Sequence, residues 1–243
     1  MGILNSSLTR VKPLGDAIIN NHNLVNILVS LVMPDEIFDF GEFINSNVFY
    51  SGGQGEKALK PSLSHLAAII EKIINDERFR YYVRKKDKST KLNNILRNKL
   101  FNLDTETVEL AKSSFKDWNT FETDSYPDLF IENDKFIIVI EGKRTETDIT
   151  RSTTYLPNRC QMVRHIENAL VYCKGKKTVI GFYVIEDTCG YEGHCSKAFF
   201  KEYLEKETIK KDDNLKSAII NSFYGYTTWQ EISNKLKIVY PKD

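Results

Sequence analysis

An apolar run, Phe136-Ile137-Ile138-Val139-Ile140, passes without transition into Glu141-Gly142-Lys143-Arg144. Large apolar residues with no polar alternation suit a strand covered on both faces, in the middle of a sheet. Charged side chains at the end of such a strand are costly to bury unless paired or used, so chemistry is expected there. Upstream, Ser125 to Glu132 reads as a shorter strand, and the polar Asn133-Asp134 as the turn between the two.

The spacing implies a register. A two-residue turn at Asn133-Asp134 pairs Glu132 with Lys135, and a four-residue loop from Glu132 to Lys135 leads to the same alignment. Asp128 then lies opposite Val139, with Glu141 as its diagonal neighbour at about 7–8 Å. Side chains alternate across a strand, so Val139, Glu141 and Lys143 share one face and Asp128 joins them. A three-residue turn would slip the register by one and send Asp128 to the other face. Two carboxylates leaning together from one face could grip a divalent cation.

The rest of the chain sets the frame. With 243 residues it can bury a substantial core, and a formal charge of +1 gives no global bias toward nucleic acid or membrane. No apolar stretch approaches the ~20 residues needed to span a bilayer. The opening MGILNSSLTRVKP lacks the apolar core of a secretory signal, and four cysteines are few for a disulfide scaffold, so a reducing, cytoplasmic location is expected. Gly2 and Ser6 satisfy the loose myristoylation pattern, which is short enough to arise by coincidence.

Apolar spacing from Val11 to Val32 predicts two helices broken around Asn20 to Asn23. Phe38 to Pro61, with Gly52, Gly53 and Gly55 but no Gly-Lys-Ser/Thr, reads as a loop. Ser62 suits the N-cap of a helix through Ile74. Arg78 to Lys99 holds nine cations against the single acid Asp87, with Tyr81 and Tyr82 interleaved. Arg78, Arg80, Arg84, Lys85 and Lys86 at its start are the candidates for contact with a nucleic-acid backbone, although a charge run on a helix is usually a solvated face. Of the two tyrosines, one is expected to pack in the core. A further strand is predicted before the hairpin, over Thr107 to Phe115 or Trp118 to Phe121. After it come a helix from Pro157 to Cys173, stopped by Lys174-Gly175, and a buried strand from Thr178 to Ile185. Helical patterns follow over Ser196 to Ile209, Leu215 to Ser222 and Thr227 to Leu236, the last with a capping-box start. The order is that of an α/β fold.

Pro127-Asp128, then Glu141-Gly142-Lys143 at the end of a buried strand, resembles the PD-(D/E)xK, or restriction-endonuclease-like, nucleases. Their shared core runs helix, three strands, helix, strand. The resemblance covers roughly residues 56–185 and implies a mixed central sheet flanked by helices, with helical extensions over 1–55 and 186–243. It implies Asp128, Glu141 and Lys143 as catalytic residues. Asp128, Glu141 and the Gly142 carbonyl would be the ligands of Mg²⁺, with Mn²⁺ as a substitute. An additional acid is expected near the leading helix, Glu56 ahead of Glu71, and Gln161 and Arg164 on the crossover helix face the right way to contact phosphate. The implied activity is endonucleolytic cleavage of DNA, with RNA left open, in a restriction or other defence system, and cutting both strands calls for a homodimer. A nuclease-like domain that has become a silent nucleic-acid-binding or assembly module is the alternative.

Other residues read plainly. Cys189 and Cys195 are six apart with His194 beside the second, a poor match to structural zinc spacing, so no zinc is expected. Cys160 and Cys173 fall on the apolar face of a helix, and His22, His65 and His165 lack partners at catalytic spacing. Glu146, close behind the motif, reads equally as a further metal contact or a surface salt bridge, and Arg144 is left unassigned.

Overall fold

The computed structural model describes residues 6–34, 46–87, 93–114, 118, 120–144, 150, 152–187 and 192–241, the side chains of 93 and 94 apart. The chain is an α/β protein built on a five-stranded mixed sheet. Its strands are β1 (Asn47–Tyr50), β2 (Leu129–Glu132), β3 (Phe136–Gly142), β4 (Thr178–Ile185) and β5 (Phe223–Thr228), lying side by side in that order. The pairs β1/β2 and β2/β3 are antiparallel, while β3/β4 and β4/β5 are parallel. Every residue of β3 is buried, as the unbroken apolar run requires.

The two faces of β3 divide its residues between two cores. Phe136, Ile138 and Ile140 pack on the face covered by α1 (Lys12–Asn20), α2 (Leu24–Ser30) and α10 (Trp229–Leu236). Ile137 and Val139 pack on the opposite face, under α7 (Gln161–Cys173), α8 (Lys197–Glu205) and α9 (Asp213–Asn221). Burying side chains of this size contributes about 1.5–3 kcal/mol each, which makes β3 the best-anchored strand of the sheet. A third core joins four consecutive helices, α3 (Leu63–Asn75), α4 (Glu77–Lys86), α5 (Asn93–Phe101) and α6 (Thr105–Ser113), around Ile69, Ile70, Phe79, Leu100 and Phe121. These helices stand between β1 and β2 in the chain.

Local chemistry sets several boundaries. The Ser62 hydroxyl accepts from the His65 N–H at 3.0 Å and starts α3 where the sequence places it. The predicted break between α1 and α2 and the extent of β4 match as well. Lys174 turns left-handed at φ 52° to end α7, and Thr228 and Glu231 form the capping box of α10.

Four expectations are corrected. Thr107 to Phe115 is not a strand: Thr105–Ser113 is α6, capped by the Asp104 carboxylate accepting from the Thr107 N–H at 3.0 Å. Thr107 and Ala111, one helical turn apart, are its buried pair. The strand beside the hairpin is β1, inside the stretch read as a loop, where Val48 and Tyr50 alternate inward. β5 fills the gap between two predicted helices and takes Thr227 and Thr228 from the second; its Phe-Tyr-Gly-Tyr-Thr-Thr is rich in strand formers. Finally, α7 begins at Gln161 rather than Pro157, because Asn158 is left-handed at φ 54° and Cys160 is extended.

Among the described residues, no helix is long and apolar enough to cross a membrane.

Candidate active site

The hairpin turns one residue later than its sequence suggests, which moves the register by two. The Asn133 N–H donates to the Phe136 carbonyl, and the Asn133 side chain accepts from the N–H groups of Lys135 and Phe136 at 2.9 and 2.7 Å. The turn is therefore centred on Asp134-Lys135, with Asn133 closing it as an Asx cap. Glu132 pairs with Ile137 and Leu129 with Ile140, not Lys135 and Ile138 as the expected register has them. A shift of two keeps every side chain on its expected face. Extended by one residue, the observed register puts Asp128 directly across from Glu141 rather than diagonal to it.

Asp128, Glu141 and Lys143 meet there, joined by Gln161 and His165 from α7. Asp128 Oδ2 accepts from the Gly142 N–H at 2.9 Å, which ties the start of β2 to the end of β3. The Lys143 ammonium donates to Glu141 Oε1 at 2.9 Å and reaches the Gln161 side-chain oxygen at 3.5 Å. His165 Nε2 lies 3.1 Å from Glu141 Oε2, and since an ionised carboxylate only accepts, Nε2 carries the hydrogen. The sequence reading set His165 aside; it is buried one turn after Gln161 on α7 and orients Glu141. Its i, i+4 spacing from Gln161, on the helix that crosses from β3 to β4, is the signal that could have found it.

The two carboxylates are driven apart in acidity. Burial and the facing Glu141 charge push the Asp128 carboxyl well above the usual range, against the pull of the Gly142 N–H and Lys143. Burial also disfavours ionised Glu141, but Lys143 and His165 overcome it and hold that carboxyl below its ordinary value. Glu141 is thus the carboxyl whose ionised form the site favours, and Asp128 the one whose ionised form it disfavours.

Gly142 is required by its neighbours. A Cβ there would stand 2.8 Å from Trp229 Cζ2 and 3.1 Å from Val11 Cγ2. The Trp229 indole in turn donates to the Lys143 carbonyl at 3.0 Å. Gly142→Ala must push the indole away and loosen Lys143. A loss of about 1–3 kcal/mol is expected, read as a Tm lower by several degrees.

The remaining candidates divide. Glu56 is exposed, yet its charge contributes to the raised pKa of Asp128, so it belongs to the site's surroundings. Glu71 is exposed on α3. Arg164 turns away from the carboxylates: it pairs with Glu122 at 2.7 Å and donates to the Thr123 carbonyl at 3.1 Å. Arg144 is buried, 3.4 Å from Glu186 and bonded to the Thr9 hydroxyl. Arg78, Arg84, Lys85 and Lys86 are exposed on α4 and make no ion pair among the described residues. Arg80 instead caps α3, donating to the Ile73 and Ile74 carbonyls at 3.0 and 2.8 Å, so it is not a free surface cation. Tyr81 is exposed and Tyr82 packs against the helical core. Glu146, Lys88, Lys91, Cys189 and Gly2 lie outside the described residues.

Among the described residues, no three His, Cys, Asp or Glu side chains gather as a ready-made metal cage. Mg²⁺ does not need one, because it is commonly held by one or two carboxylates together with substrate phosphate and water. The facing Asp128 and Glu141 match that donor set, and the pKa of Asp128 is raised by burial first and then by repulsion from Glu141, which a cation would relieve. No family model, no curated protein and no solved structure matches the chain.

Proposed function

We propose that the chain is a metal-dependent nuclease of the PD-(D/E)xK type, hydrolysing phosphodiester bonds in DNA. The observation that carries this reading is the convergence of Asp128, Glu141, Lys143 and Gln161 on one face, where β3 ends and α7 begins. The element order supports it: helix, β1, β2, β3, crossover helix α7 and β4, with α3 to α6 inserted after the first strand.

Asp128, Glu141 and the Gly142 carbonyl would hold Mg²⁺, which supplies Lewis-acid polarisation of the scissile phosphate and a more acidic bound water. The chain's own residues do the rest. His165 and the Gly142 N–H fix the two carboxylates in place. Lys143, which donates to Glu141 Oε1, would orient the attacking water and offset charge developing on the phosphate. Gln161 holds the other side of the Lys143 ammonium. The exposed cations of α4 would follow the nucleic-acid backbone, each contributing about one unit to the salt dependence of binding. Neutralising Arg84, Lys85 and Lys86 together should lower that slope by about three, read from binding isotherms across a salt series. A defence role, cytoplasmic location and a homodimer that cuts both strands belong to the same reading.

Plasmid nicking in Mg²⁺ or Mn²⁺, and hydrolysis of bis(p-nitrophenyl) phosphate, test it. Glu141→Gln should reduce both by about 10²–10³ or more while the fold survives. Unchanged activity in that variant would end the assignment. One observation favours the alternative of a silent binding module: Lys143 and His165 already engage both oxygens of Glu141, as in a purely structural ion pair. Salt-dependent DNA binding with no metal-dependent hydrolysis by the wild type would select that module.

A further inference from the structure

Residues 51 to 59 form a short loop tied at both ends to the segment that carries Asp128. The Ser51 N–H donates to the Asp128 carbonyl at 2.8 Å, and Leu59 and Ser125 exchange backbone bonds of 2.9 Å in each direction. The Asn168 amide on α7 secures the far end, donating to the Leu59 carbonyl at 3.1 Å and the Ser125 hydroxyl at 3.0 Å. Between these ties, Gly53 donates its N–H to the Tyr50 carbonyl at 3.3 Å and Gly55 bridges Tyr50, so the first half of the loop is a tight turn and Glu56 to Ala58 follow it.

One side chain holds the middle. The Lys57 ammonium sits 4.8 Å from the ring centre of Tyr172, 5.3 Å from that of Phe49 and 5.9 Å from that of Phe130. The rings brace one another, with Phe130 edge-on to both Phe49 and Tyr172 at 6.1 and 6.2 Å. The Tyr172 hydroxyl is fixed by donating to Glu132. Lys57 has no carboxylate partner among the described residues, so a half-buried cation is held by rings alone. Ring faces attract a cation through their quadrupole, and a partly desolvated cage strengthens the attraction. The three rings come from β1, β2 and α7, and Phe130 is two residues from Asp128 on the same face of β2.

The geometry points to Lys57 as a positioning residue: caged by Phe49, Phe130 and Tyr172, it clamps the 51–59 loop and sets where the adjacent Glu56 carboxylate stands relative to Asp128. This rests on the nuclease reading for its catalytic consequence, but not for the clamp itself. Glu56 is the loop's only acid and is exposed, and its charge is felt at Asp128.

The test uses Lys57→Met, which keeps length and removes charge, Lys57→Arg, which keeps the charge, and Glu56→Gln. Hydrogen exchange of the amides at 52–57 should be about tenfold faster in Lys57→Met and within about threefold of wild type in Lys57→Arg. Equal exchange in all three proteins would overturn the clamp. In plasmid nicking, Lys57→Met should lower kcat with KM for DNA unchanged, and Lys57→Met/Glu56→Gln should be no slower than Glu56→Gln alone. Multiplicative losses would show that Lys57 acts on substrate directly and overturn the positioning role. A wild-type protein without hydrolytic activity would instead sink the nuclease reading, and the exchange measurements would still decide the clamp.

Discussion

Asp128→Asn should be inert toward DNA and more stable than the wild type in metal-free buffer at neutral pH. The carboxyl of Asp128 is held well above its usual range, by burial first and by Glu141 next. The sign follows from linkage. Below about pH 4 the acid is protonated in both folded and unfolded chains, and the substitution gains nothing. As pH rises past the unfolded value, the unfolded chain gives up its proton while the folded chain keeps it, so the wild type loses stability until pH passes the folded value. Asn carries no such penalty, and its side-chain oxygen can still accept from the Gly142 N–H. The gain in Tm should therefore be absent near pH 4 and grow toward pH 7. A gain of about 1–2 kcal/mol is typical when a strained functional residue is removed. Mn²⁺ should reverse the order, raising the Tm of the wild type and leaving Asp128→Asn unmoved, because a cation that binds only the folded state stabilises it by mass action. Asp128→Asn melting below the wild type at pH 7 under chelator, or responding equally to Mn²⁺, would refute the reading of this site.

The fold was legible where one local rule dominated. The run Phe136 to Ile140 announced a strand between two covered faces, and Ser62, Lys174-Gly175 and Thr228 announced helix ends through capping chemistry that acts within a turn. Face assignment in the hairpin survived an error of two in the register because alternation has a period of two. The register itself was not legible, since it depended on whether the Asn133 side chain capped the turn or sat within it. β1 was hidden because an edge strand of four residues among glycines has too few residues to show a period. α6 was misread because Val108 and Leu110 mimic alternation, while its burial follows Thr107 and Ala111. The site's carboxylates and lysine were visible as a motif, but His165 was not. Its partner lies 24 residues away, and only the packing of α7 on the sheet brings the two together.

Arg159→Met should be the most damaging single substitution outside the hydrophobic cores. Arg159 is buried among three acids, 3.1 Å from Glu122, 2.8 Å from Glu167 and 3.1 Å from Glu207. Burial opposes its charge, but Glu167, Glu122 and Glu207 together raise its pKa above the ordinary value. Lys211 pairs with Glu167 and Glu207, and Arg164 with Glu122, so three cations balance three anions. His65 lies 3.8 Å from Glu167 and stays neutral: burial first, then Arg159, lowers it to about 3. Such a balanced network adds little net stability compared with a packed apolar core, but removing one member strands a buried charge and costs about 3–5 kcal/mol. Met matches the bulk of Arg159 and leaves three acids facing two cations. The deficit should narrow in acid for two reasons. An acid left unbalanced in the folded variant has a raised folded-state value, which favours folding at low pH. His65, freed of the Arg159 charge, also accepts a proton more readily in the variant's folded state. In the wild type, by contrast, the stability that comes from keeping His65 neutral is present above about pH 6.5 and is lost as pH falls toward 3. Urea unfolding at pH 7.5 and 5.5 should thus show the wild type losing stability on acidification and Arg159→Met losing less. A deficit below about 1 kcal/mol, or one equal at both pH values, would mean that the network is not electrostatically coupled. Because Arg159, just before α7, and Arg164, on its first turn, meet on Glu122, the same substitution reaches the active site through the start of the helix that carries Gln161 and His165. Cleavage by Arg159→Met should consequently fall even at temperatures where the protein remains folded.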